Sequence, residues 1–543
     1  MAVDTNVLYP GPPLGWGVWS YPLTHRSVFA LGLQLEVGWV AGLCPPVCWS
    51  FISHNEMPPL LLLLLLLALL PLPSSPARAV PSAAQLAWVG KFGAIFHYEM
   101  ATYSLQTGHG CGYGSWNGSS NNPRTFSPPQ CPDTDQWLDA VVSAGMDYAV
   151  LVAKHNCGFL TWPTLTTLPS GAPYGYDIGH SGAPPGCNVV ASFLASCERA
   201  GVRPGLYYSF GTNVYLDVQG GAVQNRTLLP GMAAVTQAQF RDLALAQIEE
   251  LWGGRAAGRL FEIWADGGVP LDPLFRAALA EKKGRLQPQA TFYNGAPVFN
   301  TTAVRWIGSE DGFVRFQRPQ PPARKTLTPN PPKQAPDPNW STGSCLMGAP
   351  AHGPLPPGGD PDSPFFCPAE VDSTLQADDA WFWVENAALN PLPALRASYH
   401  ASLGRNANWL LGLSPNRDGL LPAEHVAAAG ALGAWVRGCY GAPLAVGSAA
   451  PGATSVTVPL GAAGGAVVDR VRLVEGLARG QVVRRYNVSA AVAGAKRRYS
   501  NGTSVGAGKI DVLSGAVAGV TEVVVDVDTA PTALRVEVFA PCP

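Results

Sequence analysis

From about residue 90 onward, short apolar runs alternate with helix-period segments, and this alternation limits the fold more than any other feature of the sequence. "KFGAIFHYEM" (91–100) reads as a strand and "DQWLDAVVSAG" (135–145) as a helix closed by Gly145; "DYAVLVAKH" is again a strand, and "NVVASFLASCERAG" (188–201) a helix with the same glycine stop. "RPGLYYSF" is a strand, and "TQAQFRDLALAQIEELWGG" (236–254) a helix opened by Thr236, with Gln239 three residues on as in a capping box. "RLFEIWADG", "ATFYNG" and "VRWIGSE" are strands, "PLFRAALAEKKG" and "PALRASYHASLG" helices, and "NWLLGLSP" a last strand. Such alternation means parallel strands with helical crossovers. About eight strand candidates in this span predict an α/β fold, a closed (β/α)8-like barrel rather than an open six-stranded sheet. No glycine-rich phosphate loop follows the first strand, which removes the usual reason to expect a dinucleotide site.

The flanks have a different texture. The barrel is expected over residues 80–441, interrupted by a Pro-rich insertion at 316–370 that begins "QRPQPPARKTLTPNPPKQAPDPNW". Residues 442–543 are short, alternating and β-branched, as in "EVVVDVD" and "ALRVEVFA", and predict a C-terminal antiparallel β-sandwich. "MPPLLLLLLLLALLPLPSSPARAV", from Met57, carries an apolar core shorter than the roughly 20 residues of a membrane span. It ends at Ala77-Arg78-Ala79, the form of a secretory cleavage site, so residues 57–79 are expected to be a signal peptide and 1–56 a leader or start-site artefact.

Six sequons, at Asn117, Asn225, Asn300, Asn339, Asn487 and Asn501, follow that segment and fit a secreted glycoprotein, extracellular or of the cell wall, with a lysosome or vacuole as the other destinations. Nine cysteines beyond it form no C-x-x-C pair, which suits a few structural disulfides and leaves at least one free thiol. A net charge of −2 with no sustained basic run argues against nucleic acid as the main partner, and no stable membrane anchor is expected.

Polar residues gather where strands end, which in a barrel is where catalytic groups sit. The first strand ends in His97, Tyr98 and Glu99, another in Lys154, His155 and Asn156, and a third in Tyr207, Tyr208 and Ser209. The fourth ends in Trp264 and Asp266, and a later one in Trp306 and Glu310. Taken singly, Asp266-Gly267 is a turn, His97 a core histidine and Glu310 a surface residue. Together, two carboxylates, two histidines and aromatic faces suit a sugar ring. No metal-ligand spacing appears, so neither metal nor cofactor is expected.

"KFGAIFHYEM", "VLVAKHNCGFLTWPT", "AGVRPGLYYSF", "EELWGG…EIWADGG", "RWIGSEDG" and "YHASLGRNANWLLGLSPNRDG" resemble, in order, motifs of the family 29 α-L-fucosidases over about residues 88–425. "RWIGSE" is similar to the subfamily acting on α-1,3/1,4-linked fucose. The resemblance implies a retaining hydrolase of terminal α-L-fucose with Asp266 as nucleophile and Glu310 as acid/base, and such an enzyme needs its two carboxyls about 5–5.5 Å apart. It implies His97, His155, Asn156, Tyr208 and Trp264 as substrate-binding residues, without deciding which of Tyr207 and Tyr208 points inward. Where the family has "KHHDGF" this chain has "KHNCGF", so Asn156 carries no charge and Cys157 replaces an Asp. The alternatives are a related barrel hydrolase for another sugar such as α-L-galactose, and a non-catalytic fucose-binding protein.

Overall fold

A computed structural model describes residues 80–104, 108–295, 298–299, 301–307, 310–314, 366–461 and 465–542. The expected leader (1–56) and signal peptide (57–79), most of the Pro-rich insertion and the sequons at Asn300 and Asn339 lie outside them.

Eight parallel strands close into a barrel: β1 (Phe92–Phe96), β2 (Tyr148–Lys154), β3 (Arg203–Ser209), β4 (Glu262–Asp266), β5 (Thr291–Tyr293), β6 (Ala303–Trp306), β7 (Ala369–Thr374) and β8 (Asn408–Leu413). Each pairs with its neighbour in sequence, and β8 returns to β1 in register from Phe92↔Trp409 to Phe96↔Leu413. α1 (Ala83–Trp88) precedes the first strand; its Trp88 joins the barrel core, and its Gln85 donates to the carbonyls of Ala303 and Phe366. The crossover helices are α2 (Thr134–Ala144), α3 (Val189–Ala200), α4 (Gln237–Trp252), α5 (Pro273–Leu286), α6 (Leu392–Ala401) and α7 (Ala423–Tyr440). Their ends follow the sequence: Gly145 and Gly201 close α2 and α3 in the left-handed conformation, and Thr236 and Gln239 make the capping box that opens α4.

β7 corrects the sequence reading. It begins inside the span assigned to the insertion and carries Glu370, Asp372, Ser373 and Thr374, with every residue buried. Strand detection relies on apolar runs, and a strand whose inward positions hold acids has none.

Side chains alternate between two environments, as pleating requires. Ile95, Tyr148, Val150, Val152, Tyr207, Trp264, Tyr293, Val304 and Leu410 fill the barrel, while Ala94, Phe96, Leu151, Leu206, Tyr208, Ala265, Phe292 and Leu411 pack in the layer beneath the helices. A β-carbon on Gly93 would lie 2.4 Å from the Tyr148 ring, so the tyrosine takes the volume that the glycine leaves empty.

Past α7 lie seven antiparallel strands: β9 (Ala445–Ser448), β10 (Ser455–Pro459), β11 (Ala466–Glu475), β12 (Tyr486–Val492), β13 (Ala495–Gly502), β14 (Lys509–Val527) and β15 (Leu534–Phe539). β14 pairs with β11 through its first half and with β10 and β12 through its second, so one strand serves both groups around a valine-rich core. This region meets the barrel where Ile510 N–H donates to Gly404 O (2.9 Å) and Ala507 N–H to Asn406 Oδ1 (2.6 Å).

Disulfides join Cys111 to Cys157, Cys131 to Cys187 and Cys439 to Cys542, and Cys367 is also disulfide-bonded. Cys197, buried, is the free cysteine among the described residues. No helix among them is long and apolar enough to cross a membrane.

Gly93→Ala should cost about 1–3 kcal/mol, the usual range for overpacking a filled core. Urea denaturation followed by tryptophan fluorescence measures it, and an unchanged midpoint would show that Tyr148 can move aside.

Candidate active site

The inward positions at the carboxyl ends of β1 to β4 converge. Four rings from successive strands form a continuous ladder: His155 stacks on Tyr207 (centroids 5.5 Å, 16°), Tyr207 on Trp264 (5.0 Å, 18°) and Trp264 on Tyr293 (3.8 Å, 15°). His97 stands edge-on to His155 at 5.5 Å and lies 5.0 Å from Trp381.

Asp266 ends β4 two residues beyond Trp264, on the same face. Its Oδ2 accepts from Ser209 Oγ at 2.9 Å, and its carbonyl accepts from the amides of Phe210 and Gly211, both at 3.1 Å. The turn after it needs glycine: Gly267 has φ +72°, and a β-carbon there would lie 2.6 Å from Gly211 Cα. Asp-Gly is therefore a turn and a presented carboxylate at once. Ser209 Oγ also lies 3.3 Å from Asn156 Oδ1, which brings Asn156 to the same cluster.

Glu310 follows β6 on a segment that runs beside β7, where Gly312 N–H donates to Asp372 O at 3.0 Å. Its Oε2 accepts from Trp381 Nε1 at 3.2 Å. The Tyr207 phenol is held well above its ordinary range, first by burial, then by the charges of Asp266, Glu99 and Glu310. Trp381, which holds Glu310, lies 5.0 Å from His97, so Glu310 borders the same ring cluster.

Tyr208 is corrected. It faces away from the barrel interior, its hydroxyl donating to Gln247 Oε1 of α4 at 2.6 Å, and Tyr207 takes the inward place. Adjacent residues of a strand point to opposite faces, so only one of the pair can enter the site. Sequence reasoning placed Ser209 at a strand end without giving it a role, and passed over Trp381 and Phe382, which pack on His97; the aromatic run "WFW" (381–383) was the signal for these two.

Burial sets the protonation of the site. His97 is pushed well below its ordinary range by burial and by His155, and His155 down to about 4 by burial, against the pull of Asp266. Both are neutral near pH 7, and a neutral imidazole has one donor and one acceptor nitrogen. Among the described residues His155 Nδ1 has no hydrogen-bond partner, and it packs on Gly110, where a β-carbon would come within 2.4 Å of it. The Cys111–Cys157 disulfide joins the two loops at that contact, so the departure in "KHNCGF" fastens the histidine's loop.

Beneath them Lys154 is fully buried, donating to the carbonyls of Ser209 (2.5 Å) and Thr212 (2.6 Å), and so braces the loop that holds Asp266. Burial lowers it to about 7, opposed by Asp266 and Glu99. Glu99, fully buried, accepts from the amides of Met100 (2.8 Å) and Ala101 (3.3 Å), and burial raises it to about 8. No group of three or more His, Cys, Asp or Glu able to hold a metal occurs among the described residues.

This barrel, closing with acids at the mouths of β4 and β6, has known counterparts. Residues 88–326 match the alpha-L-fucosidase family model. Alpha-L-fucosidase 1 of Arabidopsis thaliana is 25% identical over 363 residues, 65% of this chain and 59% of that protein. A rice protein named "Putative alpha-L-fucosidase 1" is 27% identical over 358 residues, 65% of this chain and 58% of its own length. The chain thus matches less than two thirds of the length of these curated relatives. The crystal structure of a Bacteroides thetaiotaomicron protein described as a "putative alpha-L-fucosidase" superposes with a TM-score of 0.68 at 25% identity, over 86% of this chain and all (100%) of that one. A Ruminococcus gnavus GH29 fucosidase in complex with fucose shares the fold, with a TM-score of 0.66 at 18% identity over 86% of this chain and 96% of that one.

The raised Glu99 gives a prediction about stability. Its folded value of about 8 lies above the ordinary 4.5, so between these the folded state binds a proton that the unfolded state releases. Its contribution is full below about pH 4.5 and is lost as pH rises through about 8. Glu99→Gln, neutral throughout, escapes that loss, so its Tm relative to wild type should rise from pH 4.5 to 8. A constant difference would refute the assignment of this titration to Glu99.

Proposed function

We propose that the chain is a retaining α-L-fucosidase that removes terminal α-L-fucose, α-1,3- or α-1,4-linked, from glycoconjugates or oligosaccharides by double displacement. The observation that carries this reading is Asp266, presented at the barrel mouth by Ser209 beside a wall of stacked rings, with Glu310 bound to Trp381, which packs on His97 of the same mouth. The match to the family model over residues 88–326 supports it.

Asp266 attacks the anomeric carbon and forms a glycosyl-enzyme ester, and Glu310 gives its proton to the departing glycosidic oxygen. Glu310 then takes a proton from water as the ester is cleaved. The amides of Phe210 and Gly211 and the hydroxyl of Ser209 hold Asp266 in place while it is still a free carboxylate. Neutral His97 and His155, with Asn156, offer donors and acceptors to the sugar hydroxyls, and Tyr207 and Trp264 supply the apolar surface. The chain is further read as a secreted glycoprotein. The sequons at Asn117, Asn225, Asn487 and Asn501 are exposed, which suits glycan attachment.

Asp266→Asn should lower kcat by at least about 10³-fold in a protein that stays folded, because an amide of the same shape is a poor nucleophile. Glu310→Ala should lose about 10²–10⁴-fold on an oligosaccharide and much less in the first step with an activated aryl fucoside, which hardly needs the acid. Azide, needing no general base, should restore turnover of that aryl fucoside. It displaces Asp266 from the face the leaving group left, so the product should be the α-fucosyl azide. Equal activity of Glu310→Ala on both substrates would remove Glu310 from the mechanism. For export, mass spectrometry of secreted protein should find a mature N-terminus near Val80 and occupied sequons; a retained Met1 would overturn that reading.

A further inference from the structure

β7 poses a question that barrel packing leaves open: Glu370 is 0% exposed and Asp372 5%, in the one barrel strand without an apolar run. Buried carboxylates are costly, and apolar residues of similar volume often serve stability as well or better. Each of these two accepts a hydrogen bond from an indole. Trp264 Nε1 donates to Glu370 Oε1 at 2.9 Å, across the barrel from β4, and Trp306 Nε1 donates to Asp372 Oδ1 at 2.9 Å. Glu370 is fixed from its other side by the Tyr148 hydroxyl, 2.5 Å from Oε2.

Resting on the fucosidase reading, we propose that Glu370 is a positioning residue that sets the in-plane orientation of Trp264, and through it the geometry of the sugar-facing ring wall and Asp266. Stacking between Tyr207 (5.0 Å) and Tyr293 (3.8 Å) holds the indole plane but lets it slide and rotate within that plane. A hydrogen bond at Nε1 removes that freedom. Trp264 and Asp266 share a strand and a face, so an indole that rotates disturbs the sugar and the carboxylate at its mouth together. Asp372 and Trp306 repeat the arrangement one layer higher on the same strand.

Glu370→Leu removes both acceptors at similar volume. It should lower kcat/KM for an aryl fucoside by about 10–100-fold per titrated active site, the scale of a small misplacement of reacting groups. Glu370→Gln keeps an oxygen for Trp264, and its amide can donate to the Tyr148 hydroxyl, so activity should stay within about 3-fold of wild type. In a Trp264→Phe background, which has no N–H to place, Glu370→Leu should cost less than about 2-fold more. Tyr148→Phe is a milder lesion should the leucine variant not fold, with about 3-fold lost in wild type and nothing lost beside Trp264→Phe. Equal damage from Leu and Gln, or an undiminished loss in the Trp264→Phe background, would overturn the proposal.

A wild-type protein that cleaves no fucoside would sink the functional reading alone. Tryptophan-15N spectra then decide the positioning role. The Trp264 indole N–H signal, assigned by its absence in Trp264→Phe, should exchange slowly in wild type and Glu370→Gln and at least about 10-fold faster in Glu370→Leu. An unchanged signal in the leucine variant would overturn it.

Discussion

Closure of the barrel is the constraint on which everything else depends. With no free edge and helices outside, every barrel residue faces either the interior or the helix layer according to its parity along the strand. That parity decides which side chain of each pair enters the site: Tyr207 and not Tyr208, Trp264 and Asp266 and not Ala265. It also decides where the polar residues of β7 must go. Glu370 and Asp372 point inward because Val371 and Ser373 occupy the outer face, and once inside they require donors.

Those donors come from the aromatic residues that line the same space. The interior is therefore a set of rings whose planes are set by stacking and whose polar edges are set by carboxylates. Burial has a second effect. It keeps both histidines neutral and pulls Lys154 and Glu99 toward each other on the pH scale, to about 7 and about 8. The region under Asp266 thus holds ionisable groups that are poorly committed to charge, while Asp266 itself keeps hydroxyl and amide neighbours.

The sequence carried most of this architecture. Seven of the barrel strands stood out as apolar runs, and the helix ends at Gly145, Gly201 and Thr236 were written in their capping residues. The strand ends pointed to His97, His155, Asn156, Trp264, Asp266 and Glu310, which the fold brings to one end of the barrel. Three things were not legible, each for a physical reason. β7 lacked an apolar signal because its inward positions serve polar partners. The choice between Tyr207 and Tyr208 depended on the register of β3 against its neighbours, which local composition does not contain. Cys157 read as a loss of an Asp because its partner lies 46 residues earlier, and pairing is a fact of three dimensions.

That last bond has a consequence for how the protein matures. Cys111 lies in the loop after β1 and Cys157 just after β2, so the covalent link joins the first two strand ends that carry site histidines. Half of the imidazole pair is thereby placed by oxidation. A chain released into a reducing compartment would have the same barrel to build but one fewer restraint on the loop bearing His155. The placement of that loop therefore depends on the oxidation state of two thiols as well as on packing.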